Sequence, residues 1–119
     1  MATLKTTLTL SSNDAMSDVL SLAVNDDLTV TNPTELSRKS IATGSAQALI
    51  ASNSAFSYVY IKVISGANST DFLQVKLGGD ALLKVRVGEF AFFPLYSGIA
   101  IDAESYGGAC VVEYGYWSI

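Results

Sequence analysis

The sequence predicts an all-β protein, an antiparallel β-sandwich with jelly-roll-like strand order, and two observations support this prediction. Apolar residues recur at every second position over much of the chain, the pattern of a strand with one buried face. Glycine-containing turns separate these runs at short intervals, so no segment is left for a long helix. Short strands at such spacings are typical of sandwiches, and an immunoglobulin-like Greek key is the alternative arrangement.

The alternation is clearest in the second half of the chain. Leu73, Val75 and Leu77 alternate with polar residues, and the same pattern resumes after the turn Gly78-Gly79-Asp80. Within that turn Gly79 is predicted to adopt a positive φ angle, which glycine reaches in a tight hairpin at little steric cost. We predict that four strands of this region form one antiparallel sheet. They are residues 73–77, 83–87, 90–95 and 99–103, with turns at 88–89 and 97–98.

Further strands are predicted along the rest of the chain. The segment 20–31 is expected to hold two short strands around a turn at Asn25-Asp26-Asp27, because such polar residues favour turns. The strand at 56–65 is apolar on both faces, so it is expected to be central in the assembly or part of a subunit contact. The other predicted strands are residues 3–10, 40–43, 46–51 and 109–116.

The composition indicates one domain whose surface is partly covered by other protein. A chain of 119 residues has the length of a single domain, and we predict one sandwich domain over residues 1–119. Only 15% of the residues are charged, against about a quarter in typical domains. Oligomerisation or docking on a larger assembly would cover such a surface. An open alternative is that residues 1–18, the first strand and the loop after it, exchange with a neighbouring subunit.

Charge and hydropathy argue against two classes of partner. The net charge of −4 is unfavourable for nucleic acid, since phosphate binding needs a concentrated basic surface. No apolar run is long enough to span a membrane, and the N-terminal residues lack the basic and apolar regions of a signal peptide. We therefore expect neither nucleic acid nor membrane as a partner.

The residues that usually carry catalysis are sparse. The chain has no histidine, which removes the commonest general base and metal ligand, and it contains no nucleophile or phosphate-binding motif. Cys110 is the single cysteine and lies in an apolar run, so it is expected to be buried. Asp26-Asp27 lack the alternating ligand spacing of a calcium loop. The expectation is a protein that is not an enzyme and has no metal and no cofactor.

The aromatic residues, all at position 56 or later, are the candidate binding residues. Several must belong to the core, but some lie opposite the aliphatic faces of their strands, where they are available to another subunit. Exposed tyrosine and tryptophan beside carboxylates also suit sugar binding, for which Tyr116 and Trp117 are the candidates. The predicted subunit-interface residues are Tyr58, Tyr60, Phe72, Tyr114, Tyr116 and Trp117.

Three segments of the chain resemble a known group of proteins. They are VKLGGDALLKVRVGEFAFFPL at 75–95, IAIDAES at 99–105 and VVEYGYW at 111–117. Together they resemble small β-structured, jelly-roll-like virion structural proteins of tailed bacteriophages, and the resemblance is closest to those of marine and cyanobacterial phages. It covers residues 52–119, a little over half of the chain.

This resemblance implies a non-enzymatic virion component, made in the bacterial host cytoplasm and located in the virion. The implied role is that of a capsid decoration (cement) protein or knob-type component that binds other virion proteins, such as major capsid or tail subunits. A homo-oligomer is implied as well, with a trimer favoured. The alternative is a carbohydrate-binding module associated with the tail or fibre that contacts the host surface.

Overall fold

Ten β-strands make up the regular structure of the described residues in the computed structural model. The structure describes residues 2–30, 36–52, 56–96 and 98–118, apart from the side chain of Phe56. Thr31 and Ser97, at the end of a predicted strand and in a predicted turn, lie outside the described residues. The strands are β1 (Ala2–Ser12), β2 (Leu20–Val30), β3 (Ser37–Ile41), β4 (Gln47–Ile50), β5 (Phe56–Gly66), β6 (Phe72–Leu77), β7 (Asp80–Arg86), β8 (Phe90–Pro94), β9 (Ile101–Tyr106) and β10 (Cys110–Ser118).

The chain divides into two compact units, where the sequence predicts a single sandwich domain. The first unit, Met1–Asn32, contains β1 and β2, and we call its hairpin, residues 2–30, the arm. The second unit, Pro33–Ile119, contains the other eight strands, and we call it the body. In the described residues β1 pairs only with β2, so the first strand belongs to the hairpin and not to a sheet of the body.

The body is an antiparallel β-sandwich of two four-stranded sheets, which confirms the predicted all-β fold class. Sheet I has the order β3-β10-β5-β8, and sheet II has the order β4-β9-β6-β7. The inner faces of both sheets supply one core cluster, in which side chains such as Ile61 of β5, Leu73 of β6 and Ile101 of β9 are fully buried. Cys110 also lies in this core, as predicted.

The predicted grouping of four consecutive strands into one sheet was wrong for the third of them. β6, β7 and β9 do share sheet II, but β8 lies in sheet I beside β5. The turn that follows β7 is bonded to β5: the Gly88 N–H donates to the Val63 carbonyl at 2.8 Å, and the Val63 N–H donates to the Glu89 carbonyl at 3.1 Å. These bonds direct the chain from one sheet to the other before β8 begins.

The predicted turn at Asn25-Asp26-Asp27 was wrong as well, because β2 runs through these residues without interruption. They pair with Thr7, Thr6 and Lys5 of β1. The chain reverses instead in the loop after β1, where the Ser12 hydroxyl accepts a hydrogen bond from the Ala15 N–H at 3.0 Å. Polar residues favour turns only where the strand can end, and here each has a cross-strand neighbour.

The hairpin between β6 and β7 is built as predicted. Leu77 pairs with Asp80, which leaves Gly78 and Gly79 as a two-residue loop with φ angles of 63° and 92°. Positive φ at both positions is the requirement of the tight turn that matches the twist of two antiparallel strands. The prediction of a positive φ at Gly79 is confirmed.

Gly79→Val is therefore expected to destabilise the protein by about 1–2 kcal/mol, because a β-branched residue is strained at positive φ. Nothing lies within 4 Å of a Cβ atom placed at Gly79, so the loss reports backbone strain alone. Urea unfolding measures it, with Leu82→Val, an exposed change on the adjacent strand, as a control that should alter stability by less than about 0.5 kcal/mol. Equal midpoints for the two variants would contradict the assigned turn.

A buried carboxylate joins the loops at one end of the sandwich. Asp71 is 2% exposed, and its Oδ2 accepts a hydrogen bond from the Asn68 N–H at 2.9 Å. Its carbonyl accepts one from the Val87 N–H at 3.4 Å. Gly107 and Gly108, in the turn between β9 and β10, lie directly against the same carboxylate. Asp71 thus holds three chain segments together.

Gly107→Ala is expected to lower the free energy of unfolding by about 2–4 kcal/mol, since the new methyl group would meet Asp71 Oδ1 in a packed site. Gly79→Ala is the matched control, because the φ angles of the two glycines are 91° and 92° but the site at Gly79 is open. Its expected loss is only about 1 kcal/mol. Thermal unfolding compares the two variants. Equal losses of unfolding free energy would show that the contact with Asp71 does not contribute to stability.

Candidate interaction surface

The burial of alternate side chains in β5 decides which residues lie on the outer face of sheet I. Val59, Ile61 and Val63 are each 0% exposed in the core. Because side chains alternate along a strand, Tyr58 and Tyr60 must point away from the core, and both are half-buried. Two tyrosines therefore lie at the centre of the outer face of this sheet.

The strands on either side of β5 add aromatic residues to the same face. In β10, Trp117 pairs with Tyr58, and Gly115 pairs with Tyr60. In β8, Phe92 pairs with Tyr60, and Phe90 lies two residues before it on the same side. We call this surface the aromatic face. It consists of Tyr58, Tyr60, Phe90, Phe92 and Trp117.

The rings of the aromatic face contact one another. Tyr58 and Phe92 are stacked, with ring centroids 6.1 Å apart and planes 7° from parallel. Phe92 and Trp117 lie at 6.3 Å with the rings tilted by 54°. Phe92 is 36% exposed and Phe90 is 64% exposed. The result is a continuous apolar surface on which large rings remain accessible.

Leu36 extends this surface beyond β10. A Cβ atom placed at the buried Gly115 would lie 2.7 Å from Leu36 Cδ2 and 3.4 Å from the Trp117 ring. The missing side chain at Gly115 therefore leaves space that the leucine and the indole occupy. Leu36 is itself 51% exposed, so it enlarges the accessible apolar area.

Polar groups lie at the border of the aromatic face and pair with each other. Glu113 of β10 accepts a hydrogen bond from the Tyr60 hydroxyl at 3.3 Å and forms an ion pair with Arg38 Nε at 3.2 Å. Burial raises the pKa of Tyr60 above its ordinary value, and the charge and hydrogen bond of Glu113 raise that pKa further. Burial and the carboxylate thus both favour the protonated form of the tyrosine.

The structure brings together three of the six predicted interface residues. Tyr58, Tyr60 and Trp117 share the aromatic face. Tyr114 and Tyr116 occupy the alternate positions of β10, where they pack against the core from the inner side of sheet I. They cannot contact a partner together with Trp117 on the outer face.

Phe72, the sixth predicted residue, lies on the outer face of sheet II. Its ring stacks on Tyr106 with centroids 5.1 Å apart, and Lys84 Nζ lies 4.2 Å from the centre of the same ring. On the same face, Lys76 and Glu104 form an ion pair at 3.7 Å. Here charged side chains lie against the ring itself, and Phe72 contacts residues of both neighbouring strands.

Sequence reasoning missed Phe90, Phe92 and Leu36. A usable signal was present in β8, where Phe90 and Phe92 alternate with Ala91 and Phe93. Its use required the knowledge that β8 pairs with β5, and the sequence had placed this strand in the other sheet. Phe93 faces the core beside Val59, whereas Phe92 lies beside Tyr60 on the outer face.

The described residues also bear on metal and membrane binding. Among them, no group of three or more histidine, cysteine, aspartate or glutamate residues is arranged to hold a metal ion. No helix within the described part of the chain has the length and apolarity needed to cross a membrane.

Comparisons with protein families, with curated proteins and with solved structures gave no match for this chain.

Glu113→Gln is expected to lower the pKa of Tyr60 toward its ordinary value of 10.0, because the negative charge is removed while burial remains. Since the folded chain binds this proton more tightly than the unfolded chain, unfolding free energy should fall as the pH rises above about 10, less so in the variant. Ultraviolet titration of tyrosinate measures the shift, after subtraction of the curve for Tyr60→Phe.

Glu89→Gln serves as the control for this titration, because Glu89 is an exposed glutamate bonded to the β7–β8 turn instead. It should leave the tyrosine titration unchanged. Identical curves for Glu113→Gln and the unmodified chain would contradict the contact between Glu113 and Tyr60.

Proposed function

We propose that this chain is a non-enzymatic virion structural protein of a tailed bacteriophage, a capsid decoration (cement) or knob-type component that binds other virion subunits. The observation that carries the proposal is the aromatic face, through which the protein contacts its partners. It is made in the cytoplasm of the bacterial host and located in the virion. Its partners are other virion proteins, including copies of itself.

The chemistry of the aromatic face suits a protein interface. Tyrosine, tryptophan and phenylalanine are enriched at the centres of protein–protein interfaces, where they bury a large area with few rotatable bonds. A polar border is the usual complement of such a centre, and the pair of Arg38 and Glu113 occupies it. Phe90, at 64% exposure, is the ring with the most area left to bury.

The strand order of the body supports a viral structural role. Counted from β3, sheet I contains the first, eighth, third and sixth strands, and sheet II the second, seventh, fourth and fifth. We infer that this is the order of a jelly roll, an eight-stranded arrangement that occurs in viral capsid and lectin domains.

The segments that resemble phage virion proteins also supply most of the aromatic face. GEFAFFPL contains Phe90 and Phe92, and VVEYGYW contains Trp117. The two segments are adjacent to β5 on opposite sides in sheet I. The resemblance and the apolar surface therefore depend on the same residues, which is why we connect the implied role with this face.

The alternative function is a carbohydrate-binding module associated with the tail or fibre. In its favour, Phe72 and Lys84 line an open hollow of about 310 Å³ on sheet II. Against it, the predicted sugar platform of Tyr116 and Trp117 is divided between the two sides of β10. The ring of Phe72 is already contacted by Tyr106 and Lys84, which leaves little of it for a sugar.

Phe92→Asp is expected to abolish incorporation of the chain into virions, because it places a charge at the centre of the aromatic face, and Tyr60→Asp should act alike. The matched control is Tyr106→Asp on sheet II, since Phe92 and Tyr106 are 36% and 37% exposed. Each variant is added during particle assembly, and the sedimented particles are assayed for the chain.

Normal incorporation of Phe92→Asp, or equal loss for Tyr106→Asp, would overturn the proposed face. A glycan array with the purified chain tests the alternative. Binding that Phe72→Ala removes and Phe92→Asp leaves intact would favour the carbohydrate-binding module.

A further inference from the structure

The arm has one apolar side and one polar side. In its register Leu4 is opposite Leu28, Leu8 is opposite Val24, and Leu10 is opposite Leu22. Directly opposite residues of an antiparallel pair lie on the same side, so these leucines and valines form one surface, whereas Lys5 and Asp27 lie on the other side. Its apolar residues are Ala2, Leu4, Leu8, Leu10, Leu20, Leu22, Val24, Leu28 and Val30, and the pair of Thr6 and Asp26 interrupts them.

Much of this apolar side is accessible toward the loop between the strands. Leu8, Leu10, Leu22 and Val24 are 44%, 45%, 40% and 53% exposed, and we call these four residues the arm patch. A two-stranded hairpin by itself is marginally stable in water, and it needs a third strand or a packed surface to persist. A surface that covers the arm patch would therefore stabilise the arm.

We propose that the arm patch of one copy binds the aromatic face of a second copy, so that the chain forms a closed oligomer with exchanged arms. This inference rests on the proposed function, because it takes the aromatic face as a protein-binding surface and names its partner. It covers the arm patch and the aromatic face with a single contact.

The part of the arm available for this contact is the arm patch. Toward the other end of the hairpin, Ala2, Leu4 and Leu28 are half-buried and Val30 is only 1% exposed, so those residues offer little further area.

Charge favours the same partner. Residues 2–30 contain one lysine and four aspartates, a net charge of −3. One of these, Asp26, lies on the apolar side opposite Thr6. Contact between two arms would bring two such carboxylates into one apolar contact, where unpaired charges are strongly unfavourable. Lys62 lies beside the aromatic face on the same side of sheet I, and it can pair with the aspartate of another copy.

The test begins with the mass of the purified full chain by light scattering after gel filtration. We expect an oligomer of at least two chains of 12.6 kDa, and a monomer for Leu8→Lys. Thr7→Lys adds the same charge at the adjacent position on the polar side and should leave the oligomer intact. Circular dichroism of each variant checks that the β-structure is retained, and a wild-type monomer would overturn the proposal.

Mixing two variants distinguishes exchange from contact between arms. Phe92→Asp alone should also be monomeric, because its aromatic face is disrupted. A mixture of Leu8→Lys and Phe92→Asp should give a heterodimer in native mass spectrometry, since the intact arm of one can bind the intact face of the other. If Phe92→Asp stays oligomeric, or if the mixture contains only monomers, exchange is excluded.

These experiments use no virion, so their failure is distinct from failure of the proposed function. A wild-type monomer together with loss of Phe92→Asp from particles would exclude arm exchange and retain a different virion subunit as the partner. An exchanged oligomer whose Phe92→Asp variant still enters particles normally would support exchange and exclude the aromatic face as the site of virion binding.

Discussion

The structure depends on the packing of β5 against the opposite sheet. Val59, Ile61 and Val63 are completely buried, and each such side chain contributes about 1.5–3 kcal/mol relative to exposure. Because the side chains of a strand alternate, a shift of one residue would expose all three and bury Tyr58 and Tyr60 instead. The register of β5 is therefore fixed by the core, and the outward position of the tyrosines follows from it.

The same alternation explains how much of the fold could be predicted. The strands of the body were recognisable because their apolar residues recur with period 2, and the hairpin at Gly79 was recognisable from its two glycines. The sheet to which β8 belongs was not, since it depends on hydrogen bonds between Gly88, Glu89 and Val63 that are remote in sequence. The course of β2 through Asp26 depends likewise on β1, whose residues supply cross-strand neighbours that a local pattern does not reveal.

Only half of the predicted interface residues share one surface, and the alternation of side chains along a strand again explains why. Tyr116 and Trp117 are adjacent and similar in chemistry, yet their pairing with Val59 and Tyr58 places them on opposite sides of sheet I. Composition alone cannot separate them, whereas the alternation of side chains along β10 places one on each side. Phe92 was missed for a different reason: the alternation within β8 was clear, but the pairing of β8 with β5 was not known.

The two outer faces of the body differ in the chemistry of their exposed side chains. Sheet II carries the ion pair of Lys76 and Glu104 and a phenylalanine shielded by Lys84, all of which suit contact with water. Sheet I carries accessible rings whose polar border, at Glu113, is already paired. Accessible rings grouped on one side are typical of surfaces that contact another molecule. The proposed contact of sheet I with a partner would account for this asymmetry, and the apolar side of the arm offers a surface of the same chemical kind.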